Sequence, residues 1–139
     1  MVSFRIERTI EAPLKKVWDA ADFTKSAGPY PMEVRNEGNP EKNRVGFVRA
    51  VKSGNNTIIE RLLSVDPMKC YTYTLDEGAP VKDDYLGIVE FIEDGDVTRI
   101  SWSVNFNPQI PGTGWISALV IKSVVNKIID SIENECLSI

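Results

Sequence analysis

Apolar and polar side chains alternate along most of residues 2–106, and this period of two is typical of β-strands with one buried face. The first run places Val2, Phe4, Ile6 and Ile10 on one side of a strand. Further runs follow, separated by segments rich in Gly, Pro, Asn and Asp, at residues 33–36, 44–52, 57–66, 69–75, 85–93 and 97–106. The pattern predicts one strand and then an antiparallel meander of about six, or about seven strands in all.

The apolar period changes to that of a helix in two places. Residues 14–21 carry apolar side chains at helical spacing after Pro13, which predicts a short helix, and a second short helix is expected at residues 22–26. From residue 115 to about 137, an apolar stripe with a period of 3.6 residues predicts one long C-terminal helix. A long helix that follows an antiparallel meander is typical of a two-layer α+β fold.

The start of this long helix is apolar on nearly all sides. Trp115, Ile116, Leu119 and Val120 lie off the stripe that the rest of the helix buries. A patch of this size seldom faces water without a function. We therefore expect these side chains either to border the mouth of a cavity or to form the contact of a homodimer.

A hairpin between residues 44 and 66 carries the most specific local signal. Gly and Asn tolerate the positive φ angles of a two-residue turn, so Gly54-Asn55 predicts the turn and fixes the pairing of both strands. Counting outward from this turn places three pairs on one face: Val51 with Ile58, Arg49 with Glu60, and Phe47 with Leu62.

This face sets one Arg–Glu pair among four large apolar side chains, and there are two interpretations of it. A solvent-exposed cross-strand ion pair is common and contributes little stability. Alternatively, Arg49 and Glu60 project as a polar couple into an apolar cavity, where charges are costly unless they are paired. The opposite face of the hairpin is also mixed, so alternation alone leaves both interpretations open.

Composition and charge narrow the class of protein. A chain of 139 residues is the size of one domain, and we expect residues 1–139 to fold as a single unit. The net charge is −4 without a basic cluster, which argues against nucleic acid or an anionic membrane as the main partner. No apolar run is long enough to insert in a membrane and no leader is recognisable, so a cytoplasmic protein is expected.

The absence of histidine restricts the available chemistry. A Ser-His-Asp or Cys-His catalytic site and a histidine-bound zinc are impossible, and no glycine-rich phosphate loop occurs. We therefore expect neither a metal nor a cofactor. Cys70 and Cys136 lack any motif spacing and are interpreted as reduced thiols.

One set of residues stands at a spacing shared with a known family: Gly46-Phe-Val-Arg49, Glu60-Arg61-Leu62, Asp66, Tyr71-Thr-Tyr73, Asp84-Tyr85 and Trp102. In this set the chain resembles the helix-grip superfamily, which includes START-type lipid carriers, polyketide cyclases and dehydrases, and birch-pollen-allergen-like proteins. The branches most similar in motif are the lachrymatory-factor synthase and the abscisic acid receptors. The chain departs from the receptors at their gate loop, where it has Gly54-Asn55-Asn56, and at their latch histidine.

The resemblance implies a curved sheet wrapped on the C-terminal helix, with a deep and largely apolar cavity between them. It implies catalytic roles for Arg49, Glu60 and Tyr85, as in the synthase branch. The cavity wall would be formed by Phe47, Val51, Leu62, Tyr71, Tyr73, Trp102 and Phe106. Tyr30, in the loop at residues 28–32, and Trp115 are the candidates for ligand contacts at the mouth.

Three functions are compatible with these residues. A binder or carrier of a small, mostly apolar molecule needs only the cavity. A cofactor-free cyclase, dehydratase or isomerase would use Glu60 as its acid or base, with Arg49 as an electrostatic anchor because a guanidinium stays protonated. An interaction protein would instead use the apolar start of the long helix to dock a partner.

Overall fold

The computed structural model describes residues 1–138, which form one curved seven-stranded antiparallel sheet and a long C-terminal helix. The strands are β1 (Val2–Ile10), β2 (Met32–Asn36), β3 (Val48–Ser53), β4 (Asn56–Asp66), β5 (Cys70–Glu77), β6 (Leu86–Asp94) and β7 (Val97–Phe106). Their order across the sheet is β1-β7-β6-β5-β4-β3-β2, so the first strand closes the meander at one edge. The predicted α+β helix-grip class is confirmed.

The hairpin of β3 and β4 has the register that its turn predicts. Val51 pairs with Ile58 and Arg49 with Glu60 around the two-residue turn, where Gly54 has a φ of +62°. Regular pairing ends before Phe47, where Gly46 and Phe47 both bond to Leu62: the Gly46 N–H donates to the Leu62 carbonyl and the Leu62 N–H donates to the Phe47 carbonyl. This extra residue opposite Leu62 is a β-bulge, a feature that bends a strand.

The helices are α1 (Leu14–Ala20) and α2 (Gly114–Leu137), with a single 3₁₀ turn at Pro40–Lys42. The second short helix expected at residues 22–26 is instead one turn. The Asp22 carboxylate accepts hydrogen bonds from the backbone N–H and the hydroxyl of Thr24, which stabilise the turn locally. Five residues before Gly28-Pro29 offer too few hydrogen bonds to offset the cost of starting a helix.

Helix α2 covers the concave side of the sheet, and its buried stripe consists of Ala118, Val125, Ile128, Ile129, Ile132 and Cys136. Its C-terminal half is tied to β1 by Arg8, whose guanidinium donates to Asp130 and Glu133. The sheet contributes alternate residues, as the periodicity predicts; in β7 they are Thr98, Ile100, Trp102, Val104 and Phe106. Within residues 1–138, neither helix combines the length and hydropathy needed to cross a bilayer.

Candidate functional site

A pocket of about 140 Å³ lies between the concave face of the sheet and the N-terminal half of α2. Strands β3, β4, β5 and β7 supply Arg49, Glu60 and the rings of Tyr71, Tyr73 and Trp102. Helix α2 supplies Ile116, Ser117, Val120, Ile121, Val124, Val125 and Ile128. The remaining lining comes from Phe23 after α1, Asn56, Ile58 and Leu75 of the sheet, and Ala79, Pro80 and Tyr85 of the β5–β6 connection.

The Arg–Glu pair of the hairpin is buried at this pocket. The Arg49 and Glu60 side chains are 5% and 11% exposed, and the Arg49 Nε–H donates to Glu60 Oε1 over 2.7 Å. The exposed-ion-pair interpretation is therefore wrong. The pair can be buried because its charges compensate each other and because two further acceptors bind the Nη1 group of the guanidinium.

Those further partners come from the turn after α1. The Arg49 Nη1 group donates to the carbonyl oxygens of Phe23 and Ser26, each at 2.8 Å. The guanidinium carbon also lies 3.8 Å from the centroid of the Phe23 ring, a cation–π distance. Arg49 thus fixes residues 23–26 against the sheet as well as facing the pocket.

Three polar aromatic groups form a second buried set at the pocket. The Trp102 Nε1–H donates to the Tyr73 hydroxyl at 3.0 Å, and the Tyr73 and Tyr85 hydroxyl oxygens are 3.2 Å apart. The position of the Tyr73 ring depends on Gly87. These two residues pair across β5 and β6, and a Cβ at Gly87 would overlap the Tyr73 ring. The Tyr73 ring therefore occupies the space that the missing side chain leaves.

Burial governs the protonation of these tyrosines. It raises the pKa of Tyr71, Tyr73 and Tyr85 well above the ordinary value, because a phenolate would lose its hydration. The negative charge of Glu60 raises all three pKa values further. The hydroxyls therefore stay protonated at neutral pH and can act as hydrogen-bond donors.

The structure brings together six of the residues singled out from the sequence: Arg49, Glu60, Tyr71, Tyr73, Tyr85 and Trp102 all line the pocket. The predicted wall residues Phe47, Val51, Leu62 and Phe106 are buried but do not reach it. Phe47 packs edge-on against Phe23, and Phe106 lies against the Tyr85 ring. Alternation identifies the inner face of a strand but not how far each inner side chain lies from the pocket.

The two residues expected at the mouth lie outside the pocket. Tyr30 lines a separate shallow groove beside Leu119 and Val120, and Trp115 is 65% exposed at the start of α2. Among the four apolar residues at that helix start, Ile116 and Val120 border the pocket, while Trp115 and Leu119 do not. Self-association through the exposed side chains stays a prediction.

Several lining residues were not predicted from the sequence, among them Ser117 and Phe23. Ser117 is buried on α2 and lines the pocket. A serine within an otherwise apolar helical stripe is a signal that could have identified it. Phe23 lies in the turn that was expected to be a helix, and no sequence pattern indicates its position.

A second concavity, of about 310 Å³, lies beside α1 and shares Phe23 and Tyr71 with the first. It lacks the buried ion pair, and five of its twelve lining residues are polar or charged: Asp22, Thr24, Lys25, Asn43 and Arg44. We assign the candidate site to the smaller pocket because the buried polar groups converge there. Residues 1–138 contain no cluster of three or more side chains suited to bind a metal ion.

Solved structures share this architecture at low sequence identity. The protein XoxI from Bacillus cereus has a TM-score of 0.81 and 20% identity, over 99% of this chain and 97% of that one. The crystal structure of Ara h 8.0201 gives a TM-score of 0.76 and 19% identity, over 99% of both chains. Norcoclaurine synthase from Thalictrum flavum, in complex with dopamine and hydroxybenzaldehyde, gives 0.73 and 14%, over 96% of this chain and 84% of that one.

These likenesses define the class of protein as a helix-grip fold. The sequence then places the chain in one family. Residues 1–133 match the family described as "Polyketide cyclase / dehydrase and lipid transport", and the protein belongs to it. No curated protein matches the chain in sequence.

Proposed function

We propose that the protein binds a small, mostly apolar molecule in the pocket between the sheet and α2. The observation that supports this function is the composition of the pocket: apolar and aromatic side chains from both layers, with a few buried polar groups at one side. Ligand sites in proteins commonly have this composition, since apolar contacts supply affinity and the polar groups supply orientation. Membership of a family that includes lipid transport agrees with it.

The size of the pocket limits the ligand. A buried cavity of roughly 150 Å³ holds one benzene molecule, and this pocket of about 140 Å³ has room for a ligand of one ring or a short chain. The similar fold of norcoclaurine synthase was solved with dopamine and hydroxybenzaldehyde, which are compounds of one ring each. A larger ligand would have to displace the start of α2.

Toluene tests this proposal, because it has the required size and no polar group. We expect saturable binding, followed by tryptophan fluorescence and by chemical shifts of the pocket residues. The variant Ser117→Phe places a ring inside the pocket and should abolish binding. Ser131→Phe is the matched control, since it lies on the same helix about 21 Å further along and outside the pocket.

Thermal melts establish whether both variants fold, and Ser117→Leu replaces Ser117→Phe if the larger ring prevents folding. Binding that survives in the folded Ser117 variants would show that toluene occupies another place. Absence of saturable binding to the unmodified protein would contradict the proposal.

A second candidate function is a cofactor-free lyase or isomerase of the polyketide cyclase type. It is favoured by the state of Glu60: one carboxylate oxygen accepts from Arg49, while the other accepts no hydrogen bond from residues 1–138. A carboxylate oxygen without a donor can take a proton from a bound molecule. Arg49 would then act as the electrostatic anchor, and Tyr85 as a donor to the reacting oxygen.

Exchange of the α-protons of cyclohexanone in D₂O measures such proton abstraction without knowledge of the natural substrate. Catalysis by Glu60 predicts exchange that is faster than in buffer, saturates with cyclohexanone and disappears in Glu60→Gln. If cyclohexanone binds but its exchange is not accelerated, the result would support a binding protein rather than an enzyme that acts on this compound.

A further inference from the structure

Together, the hydroxyls of Tyr73 and Tyr85 offer one more hydrogen-bond donor than is used in the hydrogen bonds of residues 1–138. The Trp102 indole N–H can only donate, and it donates to the Tyr73 oxygen at 3.0 Å. The two tyrosine hydroxyls share a single hydrogen bond, at 3.2 Å between their oxygens. Two hydroxyl hydrogens are thus available for one bond, and one hydrogen is left over in either orientation of the pair.

No acceptor within residues 1–138 takes this remaining hydrogen. Neither tyrosine hydroxyl forms a hydrogen bond with Glu60, although that carboxylate is close enough to raise the pKa of both tyrosines. Tyr73 and Tyr85 are 4% and 3% exposed, so both side chains are shielded from bulk water. A buried donor without an acceptor is costly, and the two tyrosines face the pocket.

The charges around the tyrosine pair indicate what kind of acceptor fits. Glu60 is a carboxylate at the same pocket, and its partner Arg49 already bonds to Glu60 and to two backbone carbonyls. An anionic ligand would therefore meet the negative charge of Glu60 with little free positive charge to offset it. A neutral acceptor oxygen avoids this repulsion.

We propose that the ligand of this pocket is a small neutral carbonyl compound whose oxygen accepts the remaining hydroxyl hydrogen of the Tyr73–Tyr85 pair. The inference rests on the proposed binding function and adds the chemical class of the ligand. The aliphatic or aromatic part of the molecule contacts the apolar side of the pocket, on α2. The carbonyl points toward the tyrosine pair and completes the chain of hydrogen bonds that begins at Trp102.

Two probes of nearly equal shape test the class directly: cyclohexanone and methylenecyclohexane, in which a CH₂ group replaces the carbonyl oxygen. Each is titrated into ¹⁵N-labelled protein. One neutral hydrogen bond corresponds to a preference for the ketone of about three- to ten-fold in Kd. The ketone should also shift the Trp102 indole N–H resonance more than the alkene does, because hydrogen bonds in a chain strengthen one another.

The hydroxyls are then removed together, since either one can supply the free hydrogen. In Tyr73→Phe/Tyr85→Phe the ketone preference should fall toward one, while in Tyr30→Phe, the matched control outside the pocket, it should be unchanged. Thermal melts of both variants check folding. If the double variant does not fold, the Trp102 resonance of the unmodified protein decides the question on its own.

Each result separates this inference from the proposal on which it rests. Equal affinities for ketone and alkene would overturn the carbonyl inference and leave apolar binding intact. A ketone preference that survives undiminished in the folded double variant would place the recognition elsewhere and overturn it as well. Absence of binding for both probes and for toluene would overturn the binding function itself.

Discussion

Arg49 joins two parts of the molecule that are far apart in sequence. Its guanidinium bonds to Glu60 on the neighbouring strand, and to the carbonyls of Phe23 and Ser26 in the turn after α1. Removing this side chain leaves a buried carboxylate without its counter-charge and two carbonyls without their donor. Removing the Glu60 charge leaves the guanidinium with both carbonyls and the Phe23 ring. The two partners are therefore not equivalent.

We predict that Arg49→Met lowers the free energy of unfolding by about 3–5 kcal/mol, as expected when one member of a buried pair is removed. Glu60→Gln should cost less, about 1–3 kcal/mol, because the amide oxygen still accepts from the guanidinium. A double-mutant cycle read by denaturant melts gives the coupling between them. Arg61→Met and Asp76→Asn form the control cycle.

Arg61 and Asp76 also lie on neighbouring antiparallel strands, β4 and β5, but this pair is exposed: its side chains are 46% and 35% accessible. Such a pair contributes under about 1 kcal/mol. Equal costs for Arg49→Met and Glu60→Gln, or a coupling as small as that of the control, would contradict the structural role assigned to Arg49.

The buried tyrosines give stability a specific dependence on high pH. Burial raises the pKa of Tyr71, Tyr73 and Tyr85, whereas an unfolded tyrosine ionises near pH 10. Above about pH 10 the unfolded chain loses these protons and the folded chain keeps them, so the folded state binds more protons. The contribution of these groups is fully present below pH 10 and falls as pH rises toward the folded pKa values.

We therefore predict a loss of up to about 1.4 kcal/mol per pH unit for each buried tyrosine above pH 10. Absorbance at 295 nm should show Tyr30 alone ionising while the protein is folded, out of four tyrosines in the chain. The other three should ionise only together with the loss of the far-ultraviolet circular dichroism of the fold. Reversible ionisation of three or four tyrosines near pH 10 in the folded state would contradict this.

At the scale of the elements, the packing between β5 and β6 depends on a glycine. Gly87 faces Tyr73 across the two strands, and the Tyr73 ring covers the position of the absent Cβ. Gly87 does not have a positive φ, so an alanine there is acceptable to the backbone, and the three atoms nearest to its Cβ all belong to the Tyr73 side chain. The substitution therefore isolates the packing of Tyr73.

We predict that Gly87→Ala lowers the free energy of unfolding by about 1–3 kcal/mol through overpacking. It should also shift the Trp102 indole resonance, because a displaced Tyr73 no longer accepts at the present distance. In a Tyr73→Leu background the same substitution should cost clearly less, since the ring is absent. Equal costs in both backgrounds would show that the clash lies elsewhere.

The sequence predicts those elements whose cause is local. The Gly54-Asn55 turn fixes the register of β3 with β4, and this register places Arg49 opposite Glu60. The short helix expected at residues 22–26 fails because the Asp22 side chain closes a turn there. A turn and a helix share their first hydrogen bonds, so the pattern does not separate them.

The sequence predicts which residues of each strand face inward, but not which of them reach the pocket. Period-two alternation selects the inner residues of each strand, and Tyr73 and Trp102 do line the pocket. Phe106, on the same inner face, lies against Tyr85 instead. Which inner side chain reaches the pocket depends on the curvature of the sheet and on how α2 is placed over it, and no local pattern contains that information.

For the molecule as a whole, the two halves of α2 differ in the contacts that hold them to the rest of the fold. Residues 125–137 bury the apolar stripe against the sheet and α1, and Arg8 ties this half to β1 through Asp130 and Glu133. Residues 114–124 supply most of the helix side of the pocket and expose large apolar side chains, among them Trp115 and Leu119. Backbone regions with fewer buried contacts open at a lower free energy.

We predict that native-state hydrogen exchange differs along α2. Amides of residues 116–124 should exchange at least about tenfold faster than those of residues 125–136, which corresponds to about 1.4 kcal/mol in opening free energy. If the first half must open to admit a ligand, toluene at 100 times its Kd should slow only that half, by up to about 100-fold. Ser117→Phe should remove this effect, because its ring already fills the pocket. Uniform exchange along α2, or equal slowing of both halves by toluene, would show that the helix opens as one unit and that ligand entry uses another route.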